Sequence, residues 1–277
     1  MKPQYEGWYM KQQQGDDVFA VIAGRSTEEA YLQIVTPNES HFIPYPLASF
    51  RHHEKSLQVG ESFFTPAGMN LHVHEPGIDI EGRFQFSNLT PLRYDIMGPF
   101  ALLPMETKHI VFSMRHRVEG TVTFNGKTHP FHNAVGYMEG DQGHSFPQGY
   151  TWLQSVDLPH NASVMLAIAT IPLGLIHFTG CIGVVSLDDK EYRFATYLGV
   201  HIEQSSETYV AVSQGELQLR VDIPKTRGHR LQAPLQGTMQ KPIRESPAVP
   251  ARFLFKKGEK TLLESEDALT SFEYVKP

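Results

Sequence analysis

Apolar and polar residues alternate with a period of two through most of this chain, and that pattern decides the class of fold before any motif is considered. In Gly215–Ile223, Leu217, Leu219, Val221 and Ile223 face one way while Glu216, Gln218, Arg220 and Asp222 face the other. In Ile78–Phe86, Ile80, Phe84 and Phe86 oppose Asp79, Glu81, Arg83 and Gln85. Such runs are strands with one dry face and one wet face. Val118–Phe124 enters Asn125-Gly126 and leaves through Lys127–Val135. Asn-Gly between two alternating runs predicts a type I′ hairpin, because both central residues of that turn need positive φ. No stretch keeps a 3.6-residue apolar period over three turns. The expected class is all-β and antiparallel, with little helix.

Roughly twenty short strands are too many for one small sandwich, and closing a sheet on itself is how all-β chains remove exposed edges. A faint internal repeat divides them. Gly7-Trp8-Tyr9-Met10 and Gly149-Tyr150-Thr151-Trp152 each open a half, followed by the apolar strands Val18–Ala23 and Val164–Thr170. We therefore expect two tandem β-barrels, residues 1–143 and 144–277, with the change-over in the glycine-rich stretch near 140–149.

Composition excludes several classes. A single cysteine, Cys181, leaves no disulfide framework and no cysteine-rich zinc or iron–sulfur site. Net charge is −6 with no run of Lys or Arg, which argues against nucleic acid as a partner. The opening MKPQYEGWYMKQQQGDD has no apolar core, so a cytoplasmic location is expected. Leu158–Leu187 carries no Asp, Glu, Lys or Arg, yet His160, Asn161, Pro172 and His177 interrupt it. Two buried strands meeting at Pro172-Leu173-Gly174 explain it better than a transmembrane segment. The 14 histidines would carry the net charge from −6 to +8 if all were protonated, so charge is pH-sensitive near pH 6–7.

The densest chemistry lies in Gly136–Asp157 (GYMEGDQGHSFPQGYTWLQSVD). Glu139 and Asp141 sit two apart among glycines, followed by His144, Phe146, Tyr150, Trp152 and Gln154. A carboxyl held against aromatic walls has its pKa raised and can act as a general acid. The alternative is a crossing loop with solvated acids. His72 and His74 share one strand face and Glu75 follows, the spacing of a mononuclear metal site; the competing reading is a wet outer face, with Leu71 and Val73 inward. His116, on a face with Ile110, Phe112, Met114 and Val118, reads as a satisfied core histidine. Cys181 reads as a small buried hydrophobe. No nucleophile elbow, phosphate loop or dinucleotide fingerprint is present.

Glu6-Gly7-Trp8-Tyr9, with Gly136-Tyr137-Met138-Glu139 through Gly143, Phe146-Pro147 and Trp152, resembles the tocopherol cyclase-like family. The pattern runs through His116–Gln154 and returns at Leu231–Glu245 (LQAPLQGTMQKPIRE) and Ser271-Phe272-Glu273. The resemblance implies two lipocalin-like barrels packed together, an architecture shared with carotenoid hydratase-like proteins and lipocalin-like pericyclases. It also implies cofactor-free closure of a prenylated phenol, with Glu139 and Asp141 as candidate acids. Trp8, Tyr9, Tyr137, His144, Phe146, Trp152 and Gln154 become candidate ligand contacts, with no metal. The chain departs from the pattern at Gln142, where the family carries Trp.

Three functions are thus expected to compete. The leading one is a binder of a hydrophobic, isoprenoid-like molecule that cyclises it by acid catalysis without a cofactor. The second is a lipocalin-like carrier or stress protein in which the same carboxyls only brace a loop. The third is a cupin-like metalloenzyme using His72, His74 and Glu75.

Overall fold

The structure, a computed structural model, describes residues 2–173 and 176–276. Its first eleven strands are β1 (Tyr5–Gln14), β2 (Asp17–Arg25), β3 (Glu29–Val35), β4 (Ser40–Pro46), β5 (Phe50–His53), β6 (Ser56–Val59), β7 (Ser62–Thr65), β8 (Gly68–Glu75), β9 (Ile78–Ser87), β10 (Thr107–Phe124) and β11 (Lys127–Gly143). The remainder are β12 (Tyr150–Leu158), β13 (Ala162–Leu173), β14 (Ile176–Leu187), β15 (Lys190–Ala195), β16 (His201–Ser205), β17 (Tyr209–Gln214), β18 (Leu217–Asp222), β19 (His229–Leu235), β20 (Thr238–Lys257) and β21 (Lys260–Val275). Only short 3-10 turns accompany them among the described residues.

Two antiparallel sheets result, and they share one plan. The first runs β4-β3-β2-β1-β11-β10-β9-β8-β7-β6-β5, the second β15-β14-β13-β12-β21-β20-β18-β17-β16, with β19 added to β20. In each, the two end strands are consecutive in the chain and joined by a single 3-10 turn, Leu47–Ser49 in one and Thr196–Leu198 in the other. Each sheet is thereby turned back on itself as a lipocalin-like barrel. The faint repeat is real at this level: β1 and β12, the two strands it marked, take the same place, between the next strand of their half and its last.

Local expectations hold where one strand face is wet. Asn125 and Gly126 adopt φ of 48° and 82°, the doubly positive turn that joins β10 to β11. The apolar stretch beginning at Leu158 forms the paired strands β13 and β14, and no helix among the described residues is long and apolar enough to cross a membrane. β13 runs through Pro172 and Leu173; the Gly174 end of the expected turn lies outside the described residues. The tail is one strand, β21.

By contact the chain divides into two compact units. Unit 1 comprises residues up to 91, 109–145 and 232–241; unit 2 comprises 92–108, 146–231 and 242 onward. In unit 1 the core gathers on one face of the sheet, with Trp8, Met10, Phe19, Val21, Leu32, Ile34, Phe84 and Met138. In unit 2 it gathers Leu153, Leu166, Val185, Phe253, Phe255 and Phe272. Strands β1, β2, β3 and β12, and residues 134–140 of β11, are buried on both faces. Antiparallel sheets commonly leave one face to solvent. The second buried face is where the polar residues lie.

Candidate functional site

Strand geometry sends alternate residues to opposite faces. On β11, Gly136, Met138 and Gly140 take the core side, so Tyr137, Glu139 and Asp141 project from the other. Their register partners on β1 are Lys11, Tyr9 and Gly7, and the row continues across β2 and β3 to Gly24 and Tyr31. Within unit 1 part of this face is occupied by residues 232–241. There the Gln33 amide donates to the Gln232 carbonyl (2.9 Å) and accepts from the Gln232 N–H (2.8 Å). The Leu231–Glu245 pattern seen in the sequence thus reaches the polar face of the first barrel.

The centre of the site is a three-residue ion cluster. His109, on β10, places Nδ1 2.9 Å from Asp141 Oδ1 and Nε2 3.1 Å from Glu139 Oε2. The Nδ1–H···Asp141 contact is a hydrogen bond, whereas the Nε2 contact is an ion pair with its N–H off the ideal line. Tyr137 donates its hydroxyl to Glu139 Oε2 at 2.5 Å. Glu139 and His109 are buried, with side chains 6% and 9% exposed, while Asp141 keeps 22%.

Charge states follow from these contacts. Burial by itself would push the His109 imidazolium down, but the Glu139 and Asp141 carboxylates outweigh it and hold the ring well above its ordinary pKa. Burial, reinforced by Glu139, raises the Tyr137 phenol well above its usual range, so it remains a donor. Burial likewise raises Tyr31, with the Asp141 charge adding to it. The site therefore stores one extra proton on an imidazole wedged between two carboxylates, with phenols around it. His109, Glu139 and Asp141 also offer ligand atoms within 4.8 Å of one another, a donor set that suits a divalent cation; in the ion-paired arrangement the imidazolium supplies the positive charge.

The residues singled out from the sequence separate by face and by unit. Tyr9, Tyr137, Glu139 and Asp141 share the polar face. Trp8, adjacent to Tyr9, points to the core side, its ring 4.9 Å from Phe112 and 5.8 Å from His52. His144 is exposed, and its carbonyl accepts from the Gly237 N–H at 2.7 Å. Phe146, Trp152 and Gln154 belong to unit 2. There Phe146 packs edge-on to Tyr150 and Trp152 lies opposite Glu273. Gln154 donates to Ser271 Oγ at 3.0 Å, and Tyr150 donates to Glu273 at 2.5 Å. Unit 2 thus carries its own buried tyrosine–glutamate pair.

His72, His74 and Glu75 do not converge. His72 pairs with Glu81 at 2.8 Å, and His74 with Asp79 at 2.5 Å and Glu81 at 2.8 Å, all on the exposed face of β8 and β9, while Leu71 and Val73 are buried. Neighbouring carboxylates hold the His74 ring above its ordinary pKa. His109 was not found from the sequence. One signal pointed to it: a face defined by Ile110, Phe112 and Met114 leaves His109 on the opposite side.

No protein-family model and no curated protein sequence matches this chain. Solved structures do. An AttH candidate from Nitrosomonas europaea aligns with a TM-score of 0.57 at 11% identity, covering 98% of this chain and 92% of that one. Kievitone hydratase from Nectria haematococca aligns at 0.59 and 11%, covering 99% and 90%. CghA aligns at 0.62 and 8%, covering 98% and 88%. At these identities the likeness establishes the fold alone, an all-β chain of two lipocalin-like barrels.

Proposed function

We propose that this chain binds an apolar small molecule and catalyses proton-initiated addition across one of its double bonds, as in the cyclisation performed by tocopherol cyclase-like enzymes. The observation that carries the reading is the company Glu139 keeps: a buried carboxyl contacted by a phenol and an imidazolium, both able to carry a proton.

The chemistry balances within the cluster. The proton held on His109 reaches the substrate through Glu139 and forms a C–H bond at one alkene carbon. The cation left on the neighbouring carbon faces Tyr9, Tyr31 and Tyr137, whose ring faces stabilise positive charge. A hydroxyl oxygen of the substrate, or of water, closes on that cation. Its proton returns to the carboxylates, so no proton or electron is gained or lost. Isoprenoid-like substrates fit because they supply the alkene and the apolar body.

The test is turnover of a panel of prenylated phenols in D2O. Product carrying one deuterium at the protonated carbon, lost in Glu139→Gln, supports the reading. Binding without deuterium incorporation for any member favours the carrier.

A further inference from the structure

The core of unit 1 contains two polar side chains that it does not satisfy. Gln12 alternates with Trp8 and Met10 on β1 and so points into the core; it is 0% exposed. His116 is 1% exposed, and its ring lies 4.5 Å from that of Phe86. Among the described residues, neither the Gln12 amide nor either nitrogen of His116 has a hydrogen-bond partner. The two are neighbours. Gln12 pairs with Gly136 on β11, and a Cβ at Gly136 would stand 2.4 Å from His116 Nε2. The glycine is what lets the imidazole lie beside the glutamine.

Such a pair is costly to keep. Each buried group without a partner destabilises a fold, and native cores contain few of them. Leucine or phenylalanine at these positions would be the cheaper core. Together the two side chains offer complementary chemistry: the neutral imidazole has one donor and one acceptor, the amide two donors and an acceptor. Burial, with the Arg115 charge, holds His116 down at about 3, so the imidazole stays neutral. The surroundings are apolar and aromatic, with Phe19 opposite Gln12 in register and stacked with Phe84.

We propose that the interior of the first barrel is a second binding site, which takes a small neutral aromatic molecule with its hydroxyl between Gln12 and His116 and its ring among Phe19, Phe84 and Phe86. A hydroxyl is the group that can donate to one partner and accept from the other. Gln12 lies two residues from the end of β1, so the polar pair sits toward the β1–β2 end of the barrel. This site is separate from the His109 cluster. Gly136 and Tyr137 are consecutive, and so are Gln12 and Lys11, so the two sites lie on opposite faces of the same two strands.

Calorimetric titration of the whole protein with phenol, and with toluene as the equal-sized probe lacking a hydroxyl, decides the matter. One saturable phenol site is expected, with toluene at least tenfold weaker. Gln12→Leu and His116→Phe should fold at least as stably as wild type, because each removes polar atoms that lack partners, and each should bring the phenol-to-toluene ratio close to one. Glu139→Gln should leave that ratio unchanged. The proposal is overturned if wild type prefers phenol less than tenfold, if the preference survives in both barrel variants, or if Glu139→Gln abolishes it. Should the barrel variants fail to fold, the wild-type ratio and the Glu139→Gln arm still decide.

Discussion

Tyr137 and Glu139 are two residues apart on one strand, and the hydroxyl of the first donates to the carboxylate of the second at 2.5 Å. A period of two places them on one face of the strand, which is what brings the two side chains within reach of each other. With Tyr137→Phe the carboxylate keeps His109 but loses a donor. General acid–base groups contribute about 10²–10⁴-fold to rate. Steady-state kinetics on a responsive substrate should show Glu139→Gln losing that much kcat, and Tyr137→Phe losing less.

His109 makes stability depend on pH with a definite sign. Its folded pKa lies well above its unfolded value of about 6.5. Its contribution is therefore complete below pH about 6.5 and is lost as pH rises toward the folded value. Urea midpoints measured upward from pH 6 should fall more steeply for wild type than for His109→Gln. Parallel slopes would contradict the assignment.

His116 has the opposite sign. Its folded pKa is lowered to about 3 by burial, so the fold binds its proton later than the unfolded chain does. Stability is full above pH about 6.5 and is lost as pH falls toward 3, by up to about 5 kcal/mol at 1.36 kcal/mol per pH unit. His116→Phe should flatten the acid limb of the stability profile while leaving the alkaline limb in place.

Cys181 should be inert in the native state. It is 2% exposed and burial pushes its thiol up to about 12. The thiolate is the nucleophile. Iodoacetamide at pH 8 should label the folded protein orders of magnitude more slowly than the urea-unfolded one.

Phe84 tests the first core. It is 2% exposed and touches both Phe19 and Phe131. Phe84→Ala should lower unfolding free energy by about 3–5 kcal/mol. A chemical denaturation series reads this directly.

What could be read from the sequence, and what could not, follows from how many faces of a strand are dry. β9 and β18 each have one wet face, so they alternate plainly and the sequence reveals them. β1, β12 and residues 134–140 of β11 are buried on both faces; on β1, Lys11, Gln12 and Gln13 look like solvent-exposed residues although they are buried. Glu139 and Asp141 were visible because a two-residue spacing among glycines is local. His109 lies thirty residues before Glu139, and only the packing of β10 against β11 joins them. Trp8 and Tyr9 carried a warning in the sequence itself: neighbours on a strand cannot wall one site.

β11 holds both the catalytic candidates and part of the barrel interior on alternate residues, and this limits how the protein can change. Substitutions act on one side at a time. Deleting or inserting a single residue between Phe131 and Met138 would exchange the sides, turning Glu139 into the aromatic core and Met138 out toward His109. Lineages descending from such a chain should vary this segment by replacement and conserve its length, even where its composition drifts beyond recognition.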